Sequence, residues 1–236
     1  MDFFFKPKGV AVIGATGKLL KGGKSAGGAR AAMSHTASMT GNVQVIRGAL
    51  KQVGVVEAHD FQQMADIAKA MAMYPAKEAQ SRGWVPILTF SGAAGIVSTD
   101  MMSERDLKLA KLSEDTIEAL KRVYPEWMPP SNPVDLWPAI ERSGAQRAYG
   151  EAVKAICADP GVDALVLHLF IGGVAGRELD ISYLAQVAGE AGKPIFIWAL
   201  GKRKELRDFM VMTQQIGVPT YREIGRVIDA MAAVLS

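Results

Sequence analysis

The sequence holds a single cysteine, Cys157, among 236 residues. That excludes an intramolecular disulfide and any metal site built on clustered thiolates, and it fits a reducing compartment. Histidine is almost as scarce, with His35, His59 and His168 only. No apolar run approaches the roughly 18 residues needed to span a bilayer, so no membrane association is expected. The net charge is only +3, from 27 basic and 24 acidic residues. So small a balance carries no signal for nucleic acid, and no such partner is expected. The start, Met1-Asp2-Phe3-Phe4-Phe5, has an acid where a secretory leader needs basic residues, and its apolar stretch is short. The expectation is a cytoplasmic protein without a targeting segment.

What is present is ordinary globular material: 49% hydrophobic and 22% charged residues. The length suits one large domain or two compact ones. The apolar runs are short and rich in β-formers. They lie at 9–14 (GVAVIG), 85–90 (VPILTF), 162–170 (VDALVLHLF) and 194–200 (PIFIWAL), with a weaker one at 218–221. Near-continuous apolar strands are what a parallel sheet covered on both faces requires. Another strand is expected near 107–112. Helical patterns sit between the runs. Val43, Ile46, Leu50 and Val53 share one face, with Gly54 as a stop signal. Asp60 precedes an apolar stripe, with Gln63 placed for a capping box. Ser113 and Asp180 open two more helices, and Ile224, Val227, Ile228, Met231 and Leu235 form a last one. This alternation indicates an α/β doubly wound fold. Residues 83–236 look like a complete unit with five strands. The first 82 residues hold too few strands for a self-sufficient sheet, and a polar connector at 74–83 separates the two.

Several short patterns could carry chemistry. Gly14-Ala15-Thr16-Gly17 follows a strand but is only part of a dinucleotide fingerprint. Gly22-Gly23-Lys24-Ser25 has the wrong frame for a phosphate-binding P-loop. His168, inside an apolar strand, reads as a satisfied core residue, and His59 as a solvated turn residue. His35 lies in Ser34-His35-Thr36-Ala37-Ser38-Met39-Thr40-Gly41, which reads as a polar loop. It could be a solvent-exposed histidine or lie beside an anion site. Gly92-Ala93-Ala94-Gly95 follows a strand, where α/β folds bind ligands, although close helix–strand packing explains glycine equally. Asp135, in Asn132-Pro133-Val134-Asp135, could fix its turn or touch a ligand.

Together, in order, several of these motifs resemble one family. They are 21–30 (KGGKSAGGAR), Ser34-His35-Thr36, 91–100 (SGAAGIVSTD) and Asn132-Pro133-Val134-Asp135. The set resembles the ADP-forming acyl-CoA synthetases, relatives of succinyl-CoA ligase. Residues 6–15 resemble the first strand of that family's CoA-binding domain. The resemblance implies flavodoxin-like, doubly wound parallel sheets, one complete and one partial. It implies a remnant of the CoA-binding Rossmann-like domain at 1–18, a partial flavodoxin-like domain at 19–74 and a complete one at 83–236. It also implies an acid–thiol ligase acting through an acyl phosphate and a phosphohistidine. His35 would carry the phosphoryl group, because imidazole is neutral near pH 7, nucleophilic and able to leave again. Gly92, Ala93, Ala94 and Gly95 would supply the phosphate-binding wall.

The implied reactants are CoA, ATP or ADP with magnesium, and a small carboxylic acid. None is expected to bind this chain tightly. The implied partners are an ATP-grasp subunit or domain and a second copy in a homodimer. The sequence also departs from the pattern. It passes from Ala15 to Leu19 almost directly, which reads as an internal deletion or as a natural or engineered truncation joined near Gly17-Lys18, and Ala37 stands where glycine is usual. The chain alone is therefore expected to be inactive. A binding or assembly module of the same fold is the rival reading. An unrelated α/β nucleotide-binding protein is a third, favoured only by a working turn at Gly14 to Gly17.

Overall fold

Short polar side chains set where the first helices begin. The computed structural model describes residues 25–36, 43–52, 55–74, 81–172 and 179–236. The chain divides into two units, residues 1–76 and 77–235. In the first, the Ser25 hydroxyl accepts the N–H of Gly28 at 3.1 Å, at the start of α1 (Ala26–Thr36). α2 (Val43–Gln52) carries the expected Val43, Ile46 and Leu50. Asp60 accepts the N–H of Gln63 at 2.7 Å and opens α3 (Phe61–Met73). The Gln63 side chain reaches back to the N–H of His59 at 2.6 Å, one residue ahead of where a capping box closes. Among the described residues this unit holds three helices and no strand, only a bridging residue at Ala58. The expected strand at 9–14, the turn at Gly14 to Gly17, the rest of 1–18, the stop at Gly54 and residues 75–80 of the connector lie outside the described residues.

The second unit is built on parallel strands. Its elements run β1 (Trp84–Val85), β2 (Ile87–Thr89), α4 (Gly92–Ser103), β3 (Lys108–Leu109), α5 (Glu114–Lys121), β4 (Val134–Asp135), α6 (Trp137–Ser143), α7 (Ala145–Ala158), β5 (Leu165–Ile171), α8 (Ile181–Glu190), β6 (Ile195–Gly201), α9 (Arg203–Gln215), β7 (Thr220–Tyr221) and α10 (Ile224–Leu235). Five strands form one sheet in the order β4-β2-β5-β6-β7, and every pairing is parallel. The expected five-stranded, flavodoxin-like sheet is present. Ile87 pairs with Val166 and Leu88 with Leu167.

One strand differs from expectation. The fifth member of the sheet is β4, whereas the run near 107–112 gives β3, which pairs only with β1. Alternation explains this. Val85, Ile87 and Thr89 present their backbone groups to the same edge. The Val85 carbonyl accepts the N–H of Ala110 at 3.1 Å, and the Thr89 carbonyl accepts that of Leu136 at 2.7 Å. Between them, the Asn132 side chain accepts the N–H of Ile87 at 3.1 Å and donates to the Ala110 carbonyl at 2.8 Å. β3 and β4 therefore share one edge, and a side-chain amide fills the gap between them.

Helices cover both faces. Leu165, Leu167, Leu169 and Ile171 of β5 face a core completed by Leu120, Ala139, Val153, Ile156, Leu184 and Leu206 from the helices α5 to α9. Each fully buried leucine contributes on the order of 2 kcal/mol. α4 and α10 pack together beside the other face. α7 and α9 are absent from the expectations above. α7 buries Ala145, Ala148, Tyr149, Ala152, Val153 and Ile156 at helical spacing, and its small alanines dilute the apolar stripe.

Candidate functional site

Parallel sheets bind ligands beyond the carboxyl ends of their strands, where the strand order reverses. Here β2 lies between β4 and β5, so the reversal falls between β2 and β5. α4 begins at that point. Ser91 is its N-cap: the hydroxyl accepts the N–H of Ala94 at 3.4 Å, and the carbonyl accepts that of Gly95 at 3.1 Å. Residues 92–95 are thus the first helical turn. Gly92 and Ala93 are exposed, while Ala94 and Gly95 are buried. As the first residues of a helix, Gly92 and Ala93 have no helical acceptor for their N–H groups, which lie at the positive end of the α4 dipole.

The two glycines have different reasons. A β-carbon at Gly95 would come within 2.9 Å of Pro133 Cβ and 3.3 Å of Thr89 Cγ2. Close packing explains that residue. A β-carbon at Gly92 would meet only Asp135 Oδ2, at 3.3 Å. Asp135 serves the first of the two roles raised for it, fixing its turn. Its Oδ1 accepts the N–H of Trp137 at 3.1 Å, which fixes the turn, and its Oδ2 lies at the amino end of α4. The Tyr124 hydroxyl donates to the Asp135 carbonyl at 2.5 Å. Burial and then the Asp135 charge push the Tyr124 pKa far up, so it remains a donor.

Beneath this turn lies His168, fully buried on β5. Its Nδ1 is 3.0 Å from Thr89 Oγ1 and its Nε2 is 3.1 Å from Ser98 Oγ. Its ring meets that of Trp198 edge-on at 4.9 Å. Burial pushes its pKa down to about 3, so the imidazole is neutral at ordinary pH. The expected satisfied core histidine is present, with two hydroxyl partners that no sequence pattern marked. Tyr149 donates to the His168 carbonyl at 2.5 Å.

The edge around the turn is partly apolar. Phe90 stacks on Trp198 with centroids 6.1 Å apart, and is 6.1 Å from the tilted Phe170 ring. Phe170 is 52% exposed and its register partner Leu200 38% exposed. Lys202 and Arg203, exposed where β6 ends, add positive charge to the carboxyl edge.

His35 belongs to the first unit. Ser34, His35 and Thr36 are helical and end α1, which corrects the expected loop over 34–41. The run Ala29, Arg30, Ala31, Ala32, Met33 consists of strong helix formers and carries the helix through them. Residues 37–42, with Ala37, lie outside the described residues. His59 is exposed, as expected. Among the described residues, no three His, Cys, Asp or Glu side chains group as a metal site.

Comparison with known proteins gives a consistent set. A family model described as the succinyl-CoA ligase like flavodoxin domain matches residues 19–71. The chain is 29% identical over 216 residues to the ADP-forming acetate–CoA ligase II of Archaeoglobus fulgidus, covering 92% of this chain and 31% of that protein. It is 32% identical over 225 residues to the alpha subunit of the ADP-forming acetate–CoA ligase II of Pyrococcus furiosus, covering 92% and 46%. Among solved structures it is similar to the dinucleotide-forming acetyl-coenzyme A synthetase 1 of Ca. Korarchaeum cryptofilum, in complex with phosphate and ADP. The TM-score is 0.74 at 28% identity, over 91% of this chain and 45% of that one. The chain thus spans less than half the length of these relatives.

Proposed function

Because the chain belongs to the ADP-forming acyl-CoA synthetases of the succinyl-CoA ligase superfamily, we propose that it works as part of an acid–thiol ligase that makes acyl-CoA through an acyl phosphate. In this reading His35 takes the γ-phosphoryl group of ATP on a ring nitrogen, and ADP leaves. The phosphoryl group then moves to the carboxylate of a small acid. The thiolate of CoA attacks the acyl carbon, and phosphate leaves. Imidazole suits the carrier role because it is nucleophilic when neutral and a good leaving group from phosphorus.

One observation carries the reading for this chain's own residues. The N–H groups of Gly92 and Ala93 stand without helical acceptors at the strand-order reversal of a parallel sheet. They fit an anion such as a phosphoryl group. Ala94 and Gly95 act behind them by holding the first turn. The relative from Ca. Korarchaeum carries phosphate and ADP in its structure, which supports phosphoryl chemistry in the full assembly. The Pyrococcus relative is named an alpha subunit, which supports a separate partner. We assign ATP and its magnesium to an ATP-grasp subunit or domain, and we expect this chain to form a homodimer within a cytoplasmic assembly.

The test is phosphoryl transfer with the ATP-grasp partner and γ-labelled ATP, quenched at alkaline pH because phosphohistidine is acid-labile. Label on the wild-type chain and none on His35→Ala, with equal thermal stability, is the expected result. The chain alone should form no thioester from acid, CoA and ATP. An unlabelled wild-type chain in a complete mixture overturns the catalytic reading. A second reading, an assembly module without turnover, is favoured by the Asp135 carboxylate at the very helix end an anion would approach. It predicts a stable complex with the partner and no label.

A further inference from the structure

We infer that His168 is a positioning residue, which fixes the direction of the Gly92 and Ala93 N–H groups by way of Thr89, Ser91 and Ser98. The inference rests on the reading that those N–H groups receive phosphate.

Hydrogen counting decides the arrangement. The Thr89 hydroxyl has one hydrogen, which it donates to the Ser91 carbonyl at 2.8 Å. The same oxygen accepts the N–H of Ser91 at 2.9 Å. Toward His168 it can therefore only accept, so Nδ1 carries the ring hydrogen. Nε2 is then bare and accepts from the Ser98 hydroxyl. With Nδ1–H and the Ser91 N–H both directed at it, the Thr89 hydroxyl has one orientation left, and that orientation clamps Ser91 at both its N–H and its carbonyl. Ser91 in turn caps α4 through its hydroxyl and begins the helical ladder through its carbonyl. Gly92 and Ala93 follow directly. Ser98 lies seven residues beyond Ser91 on the same helix, so α4 is pinned to β5 at a second point. Two separated pins fix both the rotation and the height of a helix.

Core stability alone does not account for this. His168, Thr89 and Ser98 are all fully buried, with the apolar ring of Trp198 in register against His168 and buried Val166 two residues before it on the same strand. Apolar residues of matched shape are often as stable as a buried polar set, whereas a satisfied network specifies one geometry.

The amide carboxamides separate the two arms. Asparagine places an N–H near the Nδ1 position, and glutamine places an oxygen near Nε2. The experiment uses the whole chain, labelled with nitrogen-15. The amide signals of Gly92 and Ala93 are followed during titration with inorganic phosphate, and Val166→Ala serves as a cavity control on the same strand. The wild-type imidazole should be protonated on Nδ1 and bare on Nε2 from about pH 5 to 8. His168→Asn should keep phosphate affinity close to wild type. His168→Gln should lose about tenfold, the cost of a misdirected charge-assisted hydrogen bond. Val166→Ala should lose stability without losing affinity. An Nε2-protonated ring, or affinity that merely tracks stability across the three variants, overturns the inference. Absence of any phosphate-dependent shift in the wild type would remove the phosphate reading instead. Positioning is then judged on the phosphate-free signals. Movement of Gly92 and Ala93 in His168→Gln but not in Val166→Ala supports it, and unchanged signals overturn it.

Discussion

The Asp135 carboxylate lies against Gly92, so close that a β-carbon there would come to 3.3 Å from Oδ2. The negative group complements the amino end of α4 and competes with any anion that approaches it. Asp135→Asn keeps an oxygen for the Trp137 N–H and removes the charge. Phosphate affinity should rise several-fold, from about 1 kcal/mol of repulsion relieved near the surface. Stability should fall by about 0.3–1 kcal/mol as the dipole loses its partner. Phosphate titration and thermal unfolding measure both. Affinity unchanged or reduced would mean that the anion does not approach this helix end.

Glycine-to-alanine substitutions should sort by surroundings. Gly95→Ala drives a β-carbon into Pro133 and Thr89 and should cost about 1–3 kcal/mol. Gly201→Ala should cost at least as much, because its β-carbon would fall 2.2 Å from the Ile171 carbonyl oxygen. Gly189→Ala in α8 meets nothing within 4 Å and should stabilise by about 0.4–1 kcal/mol. Urea unfolding gives the order. A destabilised Gly189→Ala, or a neutral Gly95→Ala, would contradict the packing described.

Asn132 holds two strands at once, so its replacement should be severe. Asn132→Ala leaves the Ile87 N–H and the Ala110 carbonyl unpaired, at about 1–3 kcal/mol for each buried group. Asn132→Asp keeps the acceptor but sets a carboxylate oxygen against the Ala110 carbonyl, and should recover little. Hydrogen exchange of the Ile87 amide reports the same bond. Slow exchange retained in Asn132→Ala would show that another group satisfies it.

Stability should depend on pH through His168. Its folded pKa, about 3, lies below the ordinary 6.5 because burial disfavours the charged ring. The unfolded chain therefore takes the proton first. The effect is absent above about pH 6.5, and stability is lost progressively as pH falls from there toward 3. At pH 5 the loss is about 2 kcal/mol relative to pH 7.5. His168→Asn should lack this component in paired urea titrations. Equal losses in both proteins would show that the ring is not held neutral.

Much of this was legible because it is local. Asp60, Ser113 and Asp180 cap helices as their short polar side chains imply. The runs over 162–170 and 194–200 became central strands because both their faces are covered. The polar stretch 34–41 is helical at its start, where helix-forming alanines outweigh Ser34 and Thr36.

The sequence by itself determined the alternation of elements, the parallel sheet, the family resemblance and the glycine-bearing start of α4. Those follow from periodicity, capping chemistry and ordered motifs within a few residues of one another. Only the tertiary structure decided that β4 joins the sheet while β3 does not, since that depends on an Asn132 side chain bridging residues 22 and 45 positions away. It alone decided that the carboxylate of Asp135 reaches Gly92, and that Thr89, Ser98 and His168 share hydrogens. Such contacts are set by which faces meet when the sheet closes, and nothing in the order of residues along the chain records that meeting.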